Sequence, residues 1–279
     1  MPSEAVRNGE REELEVRLLL DAVYSAYGYD FREYAPASLK RRIRHCVREE
    51  GLATVSGLQE RILHQAGAVE RLLLALSVHV TAMFRDPAFF AAFRARAVPL
   101  LRDQPFLRLW IVGCASGEEV YSMAILLEEE GLLDRTRIYA TDFNEAVLAQ
   151  AREGVYPLAA MREHTANYLK AGGKAAFSDY YTARYDRAIF RAGLRRNLVF
   201  AQHNLVTDSS FNEFHAILCR NVMIYFNRSL QGRVHQLLYD SLAPGGLLGL
   251  GLRESLRCTP HQADYEELDA AAKLYRRAR

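Results

Sequence analysis

A chain of 279 residues, half of them hydrophobic and a quarter charged, is long enough for one large folded domain or a domain with an accessory one. That composition excludes a disordered or fibrous protein. The formal net charge of +2 supplies little attraction for nucleic-acid phosphates, and the preference for arginine over the lysines (Lys40, Lys170, Lys174 and Lys273 only) is what a GC-rich genome produces. The chain then opens with helical patterning. Glu12 to Tyr27 carries apolar residues at helical spacing and runs out at Gly28. "PASLKRRIRHCVREEG" predicts a second helix, with Pro36 near its start and Gly51 at its end. Helices follow at Val55 to His64 and Val69 to Ser77, and Asp86 with Pro87 starts another, Asp86 as its cap. From Phe106 the period changes. "FLRLWIVG", "RIYATD", "NLVFAQHNL", "FHAILCRN" and "GGLLGLG" read as strands, with helices at Glu118–Glu130, Glu145–Glu153 and Ser229–Leu242 among them.

Strands alternating with helices imply a mainly parallel sheet covered on both faces. The expected organisation is a helical N-terminal domain over 1–90 and an α/β domain over 91–279. The aromatic, basic stretch at about 156–197 forms a small inserted β-rich subdomain. Cys46, Cys114, Cys219 and Cys258 are widely scattered and lack ligand spacing, so reduced, buried thiols and no metal are expected. The polar, acidic start "MPSEAVRNGEREE" is not a signal peptide. The apolar stretch Leu72 to Phe84 is too short to cross a bilayer and contains His79, so a cytoplasmic protein without membrane insertion is expected.

"WIVGCASGEEVYSMAILLEEEG", from Trp110 to Gly131, has the strand–turn–amphipathic helix grammar of a phosphate cradle. Glu118 and Glu119 stand where a pyrophosphate would sit, and they would repel one. Two plainer readings stay open: carboxylates in a first turn favour the helix dipole, and Ser116-x-x-Glu119 is a capping box. Asp142 ends the next strand, 25 residues past Gly117, where a doubly wound fold holds ribose hydroxyls. Asp142-x-x-Glu145 also reads as a simple cap. Taken together, the acids describe a site for a nucleoside that carries a positive centre and no phosphates. S-adenosylmethionine is such a ligand.

"HVTAMFRDPAFF", "GCASGEEVYS", "ATDFNEAVLAQAREGVY", "QHNL", "ILCRNVMIYFNRSLQGRV" and the closing "GLRESLR" resemble the chemotaxis receptor glutamate methyltransferases, the CheR family, from about residue 14 onward. The resemblance implies a Rossmann-like class I S-adenosylmethionine-dependent methyltransferase domain preceded by an all-α domain. It implies that His79, Thr81, Arg85, Gly113, Ala115, Glu118, Asp142, Asn204, Leu205, Arg220 and Asn221 bind the cofactor. Glu118 takes the methionine amino group, Asp142 the ribose, and Asn204 and Leu205 the adenine. Arg85 and Tyr225 face the transferred methyl, and S-adenosylhomocysteine is the product. His79 and Val120 stand where many members carry Asn and Pro. The implied partner is the cytoplasmic helical bundle of a chemoreceptor, met by a monomer. Lys40, Arg41, Arg44 and Arg48 lie close to one face of the second helix and would attract such an acidic bundle. A solvated helix face explains them equally. A non-catalytic module that binds cofactor or receptor is the competing reading, and the presence of Thr81, Arg85, Arg220, Asn221 and Tyr225 weighs against it. A nucleic-acid methyltransferase is disfavoured by "CRNVMIYF" after the fourth strand.

Overall fold

The computed structural model describes residues 4–77, 81–257 and 259–278, so His79 and Cys258 lie outside the described residues. The chain divides into two compact units. One comprises residues 1–78 together with the returning segment Tyr225–Gln231, and the other comprises 79–224 and 232–279.

The helical unit contains α1 (Glu4–Tyr27), α2 (Pro36–Glu49), α3 (Val55–His64) and α4 (Ala68–Leu76). Their ends follow the local chemistry. Pro36 occupies the first turn of α2, where its missing N–H costs nothing, and the Thr54 side chain caps α3 by accepting the Gly57 N–H. Leu19, Val23, Ile43, Leu58, Ile62 and Leu72 form the centre of this unit.

The larger unit begins with α5 (Pro87–Ala92), which continues through a π turn at Phe93–Ala97 into α6 (Val98–Leu101). The wider turn accommodates Pro99, which has no N–H to give. The order is then β1 (Leu107–Val112), α7 (Glu118–Glu129), β2 (Thr136–Asp142), α8 (Glu145–Glu153), β3 (Val155–Pro157), α9 (Met161–Lys170), β4 (Tyr181–Arg184), β5 (Arg187–Phe190), α10 (Ala192–Arg195), β6 (Leu198–Gln202), β7 (Phe214–Cys219), α11 (Arg228–Ser241), β8 (Leu242–Leu250), β9 (Tyr265–Asp269) and β10 (Leu274–Arg277). Seven strands form one sheet in the order β6-β2-β1-β7-β8-β10-β9. The pairs from β6 to β8 are parallel, and β10 joins β8 and β9 antiparallel. This is the Rossmann-like arrangement expected of the class, with its strand order reversing between β1 and β7. Ligands in such sheets sit at the carboxyl ends of the strands at that reversal.

The inserted region holds a three-stranded antiparallel sheet, β3-β5-β4, with α9 between its first two strands. It changes the character of α7. That helix is not amphipathic: Val120 through Leu127 are all buried. The insertion supplies Tyr156 and Phe190 against Tyr121, covering a face that a two-layer fold would leave to water.

Candidate functional site

The loop after β1 turns through left-handed residues, Gly113 at φ 63°, Ala115 at 48° and Gly117 at 93°. Gly117 occupies the cap position of α7, so the capping box read from Ser116 and Glu119 does not form. The Ser116 hydroxyl donates instead to Glu118 Oε2 at 2.7 Å, and Glu119 accepts from Arg220 at 2.6 Å. Glu118 is buried at the start of the helix, and that burial pushes its carboxyl above the ordinary value. A buried acid at this helix start is suited to a cation that restores its charge.

Asp142, at the end of β2, ties two turns together. Its Oδ2 accepts the Ala115 N–H at 3.1 Å and its Oδ1 accepts the Asn144 N–H at 3.0 Å. Capping of α8 falls to Asn144, whose Oδ1 accepts the Ala146 N–H, and not to Asp142. The His203 N–H bonds the Asp142 carbonyl, which sets the start of the next loop beside it. There the Asn204 Oδ1 accepts the Val206 N–H at 3.0 Å, and Leu205 is half-buried. Glu118, Asp142 and the Asn204–Leu205 loop therefore line successive strand ends of β1, β2 and β6.

Arg85 sits in a tight turn, half-buried, between two non-glycine residues of left-handed backbone, Phe84 at φ 51° and Asp86 at 56°. Asp86 occupies the cap position of α5, but its side chain makes no capping bond. It accepts from Arg220 at 3.0 Å instead. Thr81, half-buried, stands four residues before Arg85. Arg220, with its side chain 1% exposed, joins Glu119, Asp86 and the Arg85 carbonyl, and its guanidinium lies 4.1 Å from the centre of the Phe89 ring. Its polar contacts brace the loop that carries Arg85 against α7. Burial pushes the Glu119 carboxyl up while Arg220 pulls it down.

Asn221, at φ 62°, and Val222 form the facing loop after β7. The two loops touch at Gly113, where an added Cβ would fall 2.6 Å from Val222 Cγ2. Only glycine allows that approach. Sequence reading missed Glu254, whose buried carboxylate accepts N–H groups from this loop. Its signal was slight, because the bonds go to backbone 31 to 33 residues away.

Tyr225 belongs to the helical unit, where its carbonyl accepts the Ala35 N–H at 2.7 Å and its ring lies 5.4 Å from the Arg42 guanidinium. The basic face of α2 is partly neutralised: Lys40 pairs with Glu13 and Arg44 with Glu12, both from α1. Arg41 and Arg48 are exposed. Among the described residues, no group of three or more His, Cys, Asp or Glu is placed to hold a metal ion. None of the described helices is long and apolar enough to cross a membrane.

Residues 79–272 match a family model described as CheR methyltransferase, SAM binding domain, and residues 14–77 match the corresponding all-alpha domain. The Cher3 protein of Pseudomonas putida is 49% identical over 266 residues, covering 95% of this chain and 97% of that protein. Chemotaxis protein methyltransferase 2 of Pseudomonas aeruginosa is 32% identical over 235 residues, 80% of this chain and 78% of that one. Among solved structures, an SAM-dependent methyltransferase from Geobacter sulfurreducens in complex with S-adenosyl-L-homocysteine aligns with a TM-score of 0.35 at 18% identity, over 62% of this chain and 51% of that one.

Proposed function

The chain belongs to the CheR methyltransferase family, an S-adenosylmethionine-dependent enzyme, and on that premise we propose that it methyl-esterifies glutamate side chains on the cytoplasmic helices of a chemoreceptor. The observation that carries the cofactor side of this reading is the pair of buried acids, Glu118 and Asp142, at the ends of neighbouring strands β1 and β2. Their charge suits an ammonium and ribose hydroxyls, and it opposes a diphosphate. Glu118 holds the amino group, Asp142 the ribose, and Asn204 and Leu205 the adenine. Thr81, Gly113, Ala115 and Asn221 complete the lining, and Arg220 acts by bracing Arg85, Asp86 and Glu119.

The bound cofactor supplies a methyl group on a sulfonium, open to in-line displacement. A glutamate carboxylate is already ionised at neutral pH, with an unperturbed pKa of about 4.3, so no general base is required. Arg85 orients the incoming carboxylate through a charge-assisted pair. That pair must not hold the ionised carboxylate too tightly, because attack neutralises its charge and ground-state stabilisation would raise the barrier. Tyr225 is a positioning group. The rate comes from alignment and from replacing water by fixed groups, and alignment alone is worth about 7–11 kcal/mol at best.

The test uses purified protein, methyl-labelled S-adenosylmethionine and membranes bearing the receptor. Label that leaves as volatile methanol at high pH, and that is absent with Arg85→Ala, supports carboxyl esters. Label that survives base on protein, or that appears on nucleic acid, rejects the glutamate assignment.

A further inference from the structure

Strands β7 and β8 run parallel and stay paired as far as Cys219 and Leu250. Just beyond, Glu254 joins the two loops that leave them. Its Oε1 accepts the Val222 and Met223 N–H groups, both at 2.8 Å. Its Oε2 accepts the Asn221 N–H at 3.0 Å and the Gly251 N–H at 2.6 Å. Three consecutive peptide N–H groups thus converge on one carboxylate, with Asn221 in the left-handed conformation that turns them inward. Such nests of backbone N–H groups ordinarily bind an external anion. Here the chain fills its own nest. Gly251 is needed for the fit, because a Cβ there would lie 2.7 Å from both the Asn221 nitrogen and Glu254 Oε2.

The other side of the same loop is the wall of the crevice. Val222 abuts Gly113, so the conformation that Glu254 imposes also sets the distance between the β7 loop and the β1 turn. We propose that Glu254 is a positioning residue of the methyl-transfer site, folding the Asn221–Met223 backbone so that Asn221 and Val222 hold the cofactor crevice at its working width. This rests on the reading that the crevice takes S-adenosylmethionine. Glutamine at 254 keeps the size of the side chain but turns an NH₂ towards donors that need an acceptor, leaving some of the four N–H groups unmatched.

The experiment is calorimetric titration of the full-length protein with S-adenosylhomocysteine, using wild type, Glu254→Gln, Asn221→Ala, their double variant, and Glu129→Gln as a buried-carboxylate control away from the crevice. Melting temperature is followed in parallel. Glu254→Gln is expected to weaken binding by about tenfold or more. The double variant is expected to be no weaker than the worse single, because both act through one loop. Glu129→Gln is expected to melt earlier yet bind as wild type does. Wild-type affinity in a folded Glu254→Gln protein, or strictly additive losses in the double variant, overturns the proposal. Should Glu254→Gln not fold, hydrogen exchange on wild type decides. Slow exchange at Asn221, Val222 and Met223 that slows further with S-adenosylhomocysteine supports the role, and exchange indifferent to that ligand rejects it. Failure of wild type itself to bind S-adenosylhomocysteine strikes the underlying cofactor reading instead.

Discussion

Arg85 is flanked by two side chains whose backbone is held in the left-handed region, Phe84 and Asp86, at a cost on the order of 1–3 kcal/mol each. Neighbouring groups hold the turn in that form. Ser122 Oγ accepts the Phe84 N–H at 2.8 Å and donates to the Glu118 carbonyl at 2.6 Å, while Arg220 donates to the Arg85 carbonyl. Ser122→Ala leaves a buried N–H without its acceptor and is expected to lower stability by about 1–3 kcal/mol in denaturant titration. Methyl transfer is expected to fall with it, as the Arg85 turn relaxes. Glu118 gives a pH signature. Its carboxyl titrates above the ordinary value because it is buried, so the anion proposed to hold an ammonium is lost earlier on acidification than for an exposed glutamate. Affinity for S-adenosylhomocysteine, measured as pH falls, is expected to weaken from above the usual carboxylate range. Glu118→Gln is expected to be weak at neutral pH and flat through that range.

At the scale of elements, the charge on α2 is not the uniform cationic face that helical spacing suggests. Glu12 and Glu13 come from α1, so one sequence stretch cancels what the next one advertises. If the proposed receptor docks on α2, the exposed pair Arg41 and Arg48 carries the charge that remains there. Arg41→Glu with Arg48→Glu is expected to lower receptor-dependent kcat/KM by about tenfold at low salt, with the gap closing as salt rises. Lys40→Ala and Arg44→Ala are expected to do less. Elsewhere, Glu129 anchors the inserted region to α7: it accepts from Tyr180 and from the Lys174 N–H, and it also pairs with Tyr168 and Arg94. The Arg94–Glu129 pair is almost fully buried, so Arg94→Met strands a charge and is expected to cost about 3–5 kcal/mol of stability. Neither the burial of α7 nor this anchor was legible beforehand, because the partners of Glu129 arrive from 35 to 51 residues further along or earlier and follow no periodic pattern.

For the molecule as a whole, His235 on α11 links folding to pH. It is buried, and burial lowers its pKa from 6.5 to about 4. The unfolded chain therefore binds a proton that the folded one resists, so stability falls as pH drops through 6.5 and the loss is complete below about 4, amounting to about 3 kcal/mol. Denaturant titrations across that range check it, and His235→Gln is expected to flatten the slope. The alternation of strands and helices announced the parallel sheet, and the Gly-punctuated turn and the strand that follows put Glu118 and Asp142 at neighbouring strand ends, because both are local patterns. What local pattern got wrong turns on single dihedral angles. Gly117 at φ 93° takes the cap position from Ser116, and Asp86 at φ 56° turns its carboxylate to Arg220. Glu254 passed unnoticed because its partners are peptide groups, which leave no mark in sequence. The most direct measurement is mass mapping of receptor peptides after reaction with this protein and S-adenosylmethionine. The expected result is one added methyl, as a base-labile ester, on glutamates of the cytoplasmic helices. The added methyl on any other side chain, or receptor peptides left unmodified while the cofactor is bound, would contradict it.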